Sequence, residues 1–170
     1  LRDAGAFFPD IDLTTTAFAK NRSRHDRGEV TFWFTLEGFF WFPRTLLGIE
    51  NHFLAFYDQP ELLKMINRDQ AHYCVRLLEK LLAEYQPEFM TFAEDMNYNH
   101  GAMISEAQFD EFMLPYYREV VPILKEHKVK VLIDSDGDIT PCLNWFKRAG
   151  IEGVLPLERQ AGVDINRLRR

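Results

Sequence analysis

Cysteine is scarce in this chain: Cys74 and Cys142 are two among 170 residues, too few for a disulfide framework and too far apart for a metal knuckle. A reducing compartment, the cytoplasm, is the expectation. Basic residues are outnumbered, 20 Lys and Arg against 26 Asp and Glu for a net charge of −6, which argues against binding along a nucleic-acid backbone. Long apolar runs are missing, because Glu, Pro or Asp interrupts each one well short of the roughly 20 residues a membrane span needs. No basic stretch followed by an apolar one opens the chain as a secretory leader would, and no repeat recurs at a period of about 20 to 50 residues. What the chain does have is a 46% hydrophobic content with 15 Phe, enough to bury a core as one domain or part of one. It opens on Leu1 and stops on Arg169-Arg170, which reads as a fragment of something longer.

Residues 1–28 show weak periodicity, a Thr14-Thr15-Thr16 run and a basic polar stretch from Lys20 to Arg27, and are read as an irregular lead-in. Residues 29–36 then concentrate β-branched and aromatic side chains (Val30, Thr31, Phe32, Trp33, Phe34, Thr35), the signature of a buried strand ending at Glu37-Gly38. Pro43 suits a helix start. From Pro60 to about Tyr85, Leu62, Leu63, Ile66, Cys74, Leu77, Leu78, Leu81 and Leu82 recur at three- and four-residue steps, which predicts a long helix with one apolar stripe. Phe89 to Ala93 reads as a short strand, and Ser105 with Gln108 as a capping box opening a helix from Glu106 to about His127, kinked at Pro115 and Pro122. A strand over 129–133, a helix over 139–149 closed by Gly150, a strand over 151–155 and a helix from Asp164 complete the pattern.

Strand and helix therefore alternate four times, which predicts α/β architecture with parallel strands joined by right-handed crossovers. Four such units are half of a (β/α)8 TIM barrel, a fold of about 250 residues, so residues 29–170 are read as its carboxyl-terminal half. An open doubly wound sheet is the alternative, although no glycine-rich phosphate loop follows any strand. A half barrel exposes strand edges, so a chain consisting of these residues alone would pair with a second copy as a homodimer or aggregate.

In parallel α/β folds the chemistry sits at the carboxyl ends of the strands, and here those ends are acidic: Glu37, Glu94-Asp95, Asp134-Ser135-Asp136-Gly137-Asp138 and Glu158. Asp134 and Asp136 alternate along an extended segment and so point the same way. With Glu94, Asp95 or Glu158 they are candidates to bind a hard divalent cation such as Mg²⁺, to hold a cationic substrate, or to keep one carboxyl protonated for acid catalysis. Any metal would sit on Asp134 and Asp136. Asp138 reads as an N-cap, and the D-x-D-G-D run lacks the twelfth-position Glu of a calcium loop. His100, in a loop, is a candidate acid, base or ligand. Arg44 is a candidate for a substrate carboxylate, with Glu37 beside it as a further substrate-binding residue. His25, His52, His72 and His127 read as structural or surface residues, and Trp33, Trp41 and the Phe39–Phe42 cluster as core.

Several motifs resemble the uroporphyrinogen decarboxylase superfamily, which also contains cobamide-dependent methyltransferases. They are Tyr57-Asp58-Gln59-Pro60-Glu61, Phe92-Ala93-Glu94-Asp95 with Gly101, Ile104-Ser105 through Phe109, Phe112 and Leu114-Pro115-Tyr116, then Asp134-Ser135-Asp136-Gly137, and Ala149-Gly150-Ile151 through Pro156-Leu157-Glu158 to Ala161-Gly162-Val163-Asp164. Their order and spacing carry the likeness, from about Glu29 to Arg170. The resemblance implies a (β/α)8 barrel enzyme acting on a tetrapyrrole or on a methyl group delivered by one. For decarboxylation it implies no cofactor, with acids at the strand ends contacting pyrrole N–H groups and protonating a carbanion-like intermediate. For methyl transfer it implies a corrinoid-protein partner. The decarboxylases' tyrosine falls near Leu46, and the methyltransferases' zinc-binding His-x-Cys falls on the strand that here ends in Asp134 and Asp136. A barrel that has kept the scaffold and lost the chemistry is a third expectation.

Overall fold

The computed structural model describes residues 8–168. Four strands, β1 (Trp33–Glu37), β2 (Phe89–Ala93), β5 (Lys130–Asp134) and β6 (Gly153–Leu155), form one sheet in that order. Every pairing is parallel, as expected of an α/β chain whose strands are separated by helices. The register is level: Glu37 pairs with Ala93, Ala93 with Asp134, and Asp134 with Leu155. The four carboxyl ends thus finish in one row. No closed barrel exists among the described residues; the sheet is open, with β1 and β6 as its edges.

Alternation along the strands gives the sheet two unlike faces. Phe34, Leu36, Met90, Phe92, Val131, Ile133 and Val154 belong to the main hydrophobic core, together with Leu63, Cys74 and Leu78 of α4 (Pro60–Glu84), Tyr117, Val120 and Leu124 of α6 (Leu114–Glu126), and Trp145 and Phe146 of α7 (Leu143–Ala149). The apolar stripe read in residues 60–85 is this α4 face. The opposite face, with Trp33, Thr35, Glu37, Leu132, Asp134 and Leu155, carries no helix layer among the described residues. Trp33, expected in the core, is 51% exposed there. It stacks on Phe89 at 5.8 Å and donates its indole N–H to the Thr91 hydroxyl at 3.3 Å.

The lead-in is more ordered than its sequence suggests. A single 3-10 turn, Leu13–Thr15, is capped by Asp12, whose carboxylate accepts from the Thr14 amide at 3.0 Å, and α1 (Ala17–Asp26) starts at the Thr16 cap. Leu13 and Phe18 of this segment pack with Phe32, Leu81 and Tyr85, so tertiary burial supplies what periodicity did not. The part of the lead-in over residues 1–7 lies outside the described residues, as do Arg169 and Arg170.

Other boundaries shift. The first strand begins at Trp33, because the Phe32 amide is taken by the Glu88 carboxylate at 2.8 Å. The helix expected from Pro43 begins at Trp41 as α2 (Trp41–Leu47), followed by α3 (Ile49–Asp58). Asn97–Tyr98 and Gly101–Ala102 make a two-stranded hairpin, β3 and β4, where a loop was expected. The Ser105–Gln108 capping box is present, but the helix behind it divides at Met113 into α5 (Glu106–Phe112) and α6. Pro115 sits in the first turn of α6, where its missing N–H costs nothing. The helix expected over 139–149 is a 3-10 turn, Thr140–Cys142, and then α7, closed by Gly150 in the left-handed region at φ 85°. The chain's last described helix is α8 (Ile165–Leu168).

Candidate functional site

The acids at the strand ends divide into two groups, and the division follows from side-chain alternation. Ala93 shares a face with Glu37 and Asp134, so Glu94 turns toward the helices. It is 0% exposed. Its Oε1 accepts from the Phe39 amide at 2.9 Å and from the Tyr117 hydroxyl; its Oε2 accepts from the amides of Phe40 at 2.8 Å and Trp41 at 3.0 Å. Expected beside Asp95 among the acids at the mouth, Glu94 lies instead beneath the turn that follows β1. Burial pushes its carboxyl up to about 7, against the pull of Tyr117 and the three amides. Burial and the neighbouring Glu94 charge raise the Tyr117 hydroxyl well above its ordinary value.

That turn is held on every side. The amide of Gly38 donates to the Ala93 carbonyl at 2.8 Å. Gln70 donates to the Glu37 carbonyl at 3.0 Å, and Asn67 to the carbonyls of Phe39 at 2.9 Å and Phe112 at 2.8 Å. A methyl group at position 38 would overlap the Glu94 carboxyl, so the Glu37-Gly38 step requires glycine. Phe40, at the N-cap of α2, makes no side-chain cap bond; Glu94 does that work from 54 residues away.

The second group faces the open side of the sheet. Burial and the charges of Asp136 and Asp95 raise the Asp134 carboxyl, while burial and the charges of Asp95 and Glu158 raise that of Asp136. Like charges gathered together disfavour ionisation of each. Asp95 thus lies close enough to act on both Asp134 and Asp136, and Glu158 close enough to act on Asp136. The intervening Ser135 points the other way and is buried, donating to Asn97 Oδ1 at 2.9 Å and accepting from the Met96 amide at 3.1 Å. Asn97 also reaches Cys142 Sγ at 3.0 Å. This buried network ties the segment after β2 to the segment after β5. Burial lifts the Cys142 thiol to about 11, so it stays protonated.

Asp95 holds a left-handed backbone (φ 40°) and donates its amide to the Asp134 carbonyl at 3.1 Å. Arg44 meets it: the guanidinium donates to the Asp95 carbonyl at 3.2 Å, lies 3.5 Å from its carboxylate, and sits over the Trp41 ring at 4.8 Å. Trp41, read as core, is a half-buried platform for this cation. His52, from α3, is buried against Phe40 and Phe56 with its Nδ1 unpartnered; burial and the Arg44 charge push it down to about 4, so it is neutral. Glu158 closes the loop after β6 by accepting from the Gly137 amide at 2.6 Å and from Gln160 at 2.9 Å. Asp138, read as an N-cap, accepts from the Thr140 amide at 3.0 Å but stands one residue before the cap itself, Ile139, which has no side-chain cap bond.

Glu37 ends β1 with an exposed side chain. His100 sits exposed in the β3–β4 turn, edge-to-face with Tyr98 at 5.7 Å, and no hydrogen bond or ion pair joins it to the acids among the described residues. No three His, Cys, Asp or Glu side chains among the described residues converge on a point that could hold a metal ion. Asp134 and Asp136 therefore form a pair without a third ligand. Sequence reasoning missed Asn67 and Gln70 of α4 and Tyr117 of α6, which come from helices far along the chain from the strand ends they support, and Ser135 and Asn97, which lie close after β5 and β2 but turn into a buried network. The period-two rule that joined Asp134 to Asp136 would also have separated Glu94 from Ala93 and its face.

What this arrangement offers chemically is a row of acids that accept N–H groups or keep a proton, bordered by one guanidinium able to take a carboxylate. The family model for uroporphyrinogen decarboxylase (URO-D) matches residues 28–165. Comparison with curated proteins gives no match, and comparison with solved structures gives none either. The matched span runs from the turn after α1 to the start of α8, taking in all four strands of the sheet, and on that span the chain belongs to the uroporphyrinogen decarboxylase family.

Proposed function

We propose that the chain is the carboxyl-terminal half of a (β/α)8 barrel enzyme that removes carboxyl groups from the acetate side chains of a tetrapyrrole. The observation that carries this reading is the gathering of Asp95, Asp134, Asp136 and Glu158 at the carboxyl ends of parallel strands, with Asp134 and Asp136 held above the ordinary aspartate range. Pyrrole N–H groups are donors, and an acid-lined mouth accepts them. Arg44, steadied over Trp41, supplies a positive group for a side-chain carboxylate.

The proposed chemistry needs no cofactor. The bond between the side-chain methylene and its carboxylate breaks, CO₂ leaves, and the electron pair left on the methylene carbon takes a proton to give a methyl group. Asp134 or Asp136, each holding its proton more tightly than a free aspartate, is the donor. Positioned proton transfer of this kind is worth about 10²–10⁴-fold in rate.

The test is CO₂ release from uroporphyrinogen by the full-length protein, with the paired variant Asp134→Asn/Asp136→Asn. Turnover that falls by about 100-fold or more in the variant supports the reading. A methyl group moved from a corrinoid protein, with no CO₂ released, moves the reading to the family's methyltransferases. Against that alternative, Asp134 and Asp136 stand where the family's methyltransferases carry a zinc-binding His-x-Cys, so carboxylates replace the soft ligands that zinc activation of a thiol needs. Neither activity would leave a barrel that has lost its chemistry.

A further inference from the structure

Glu94 has no part in the proposed chemistry, yet it is the one fully buried Asp or Glu among the described residues. No Lys, Arg or His pairs with it there. Its partners are donors without net charge: three successive amides, from Phe39 to Trp41, and the hydroxyl of Tyr117. The groups around it are accounted for element by element. The β1–α2 turn presents the amides, α6 presents Tyr117, and α4 presents the Cys74 thiol, which acts on Tyr117 and is itself lifted to about 12 by burial.

Three consecutive amides aimed at one carboxylate set the direction in which the chain leaves β1. Three residues beyond them stands Arg44, lying over Trp41 and reaching Asp95. The carbonyls of the same turn are held separately, by Gln70 and Asn67 of α4. Loss of charge at Glu94 therefore releases the amide side of the turn while its carbonyl side stays anchored, a local loosening that leaves the fold intact. Protonation also turns one carboxyl oxygen into a donor facing donors, which weakens the grip further.

We infer that Glu94 and Tyr117 form a positioning pair whose charge state sets how firmly the turn after β1 presents Trp41 and Arg44 to the mouth of the sheet. This rests on the reading of that mouth as the functional site, and it adds a means of regulating it. The carboxyl is pushed up to about 7, so the grip changes near neutral pH: firm above, loose below. Tyr117 donates to the carboxylate and favours its ionised form; without it the change moves to higher pH.

Amide hydrogen exchange at Phe39, Phe40 and Trp41 in the full-length protein, followed by NMR from pH 5.5 to 8.5 and corrected for the intrinsic rate, tests the pair. In the wild type, protection rises by about tenfold or more across a midpoint near 7, the effect of restoring hydrogen bonds to a charged acceptor. Tyr117→Phe moves that midpoint up, and Glu94→Gln removes the step. The amides of Met90 and Phe92, in the sheet, report global opening and show no such rise: their protection falls over the same range, as ionisation of Glu94 lowers global stability. Protection that does not vary with pH in the wild type, or a step that survives in Glu94→Gln, overturns the inference. If Glu94→Gln fails to fold, the wild-type profile and the Tyr117→Phe midpoint still decide it. None of these readouts depends on turnover, so an inactive protein with the expected profile would sink the enzymatic reading alone.

Discussion

The ionisation of Glu94 makes a specific demand on the stability of the whole fold. Its carboxyl rises from the ordinary 4.5 to about 7 in the folded chain. Each pH unit of such a difference is worth about 1.4 kcal/mol, so the full effect is about 3 kcal/mol. The sign follows from proton uptake. Between pH 4.5 and about 7 the folded chain keeps the Glu94 proton and the unfolded chain has lost it, so stability falls as pH rises through that window. Below it both states are protonated and the contribution is complete; above it both are ionised and the contribution is gone. Glu94→Gln carries no such proton. Urea denaturation of wild type and Glu94→Gln at pH 4.5, 6 and 8 isolates the effect, since all other titrating groups are common to both. The wild type's stability relative to the variant declines by about 3 kcal/mol from pH 4.5 to 8. A difference that stays constant across that range would refute the claim that this carboxyl titrates near neutrality. The same ionisation that costs global stability tightens the local turn, a trade-off expected where a buried charge serves geometry.

Three further outcomes follow from the structure. Gly38→Ala forces a methyl group onto the Glu94 carboxyl and lowers stability by about 1–3 kcal/mol, as overpacking does, read as a lower urea midpoint with unchanged slope. Asn67→Ala strips the Phe39 and Phe112 carbonyls of their buried donor and costs about 2–3 kcal/mol by the same assay. Asp136→Asn removes one of the charges that raise Asp134; the Asp134 carboxyl, followed by ¹³C NMR, then titrates at lower pH than in the wild type, and an unchanged or higher value would contradict the shared face assigned to the two.

How much of the candidate site could be read in advance depends on the range of the interaction involved. Asp134 and Asp136 were legible because alternation along a strand is a local rule, and both residues lie on one extended segment. Glu94 was misplaced by the same sequence that revealed it as a strand-end acid, because grouping it with Asp95 ignored that neighbours on a strand face opposite ways. Its partners lie 53 to 55 residues before it and 23 after it, and no local pattern announces them. Arg44 was picked out as a cation near a strand end. That it stands on Trp41 and against Asp95 depends on how the turn after β1 folds back.

The sequence by itself determined the alternation of strands and helices, the apolar stripe of α4, the Ser105 capping box, the Gly150 helix stop and the acidity of the strand ends, since each rests on spacing and on the conformational preferences of single residues. Tertiary structure alone decided that residues 17–26 form a helix, that the open face leaves Trp33 in solvent, and that the strand-end acids split between a row with access to solvent and one fully buried carboxylate. Those outcomes turn on burial and on hydrogen bonds between residues distant in the chain, and a buried carboxylate is tolerated only where folding has already brought four donors to meet it.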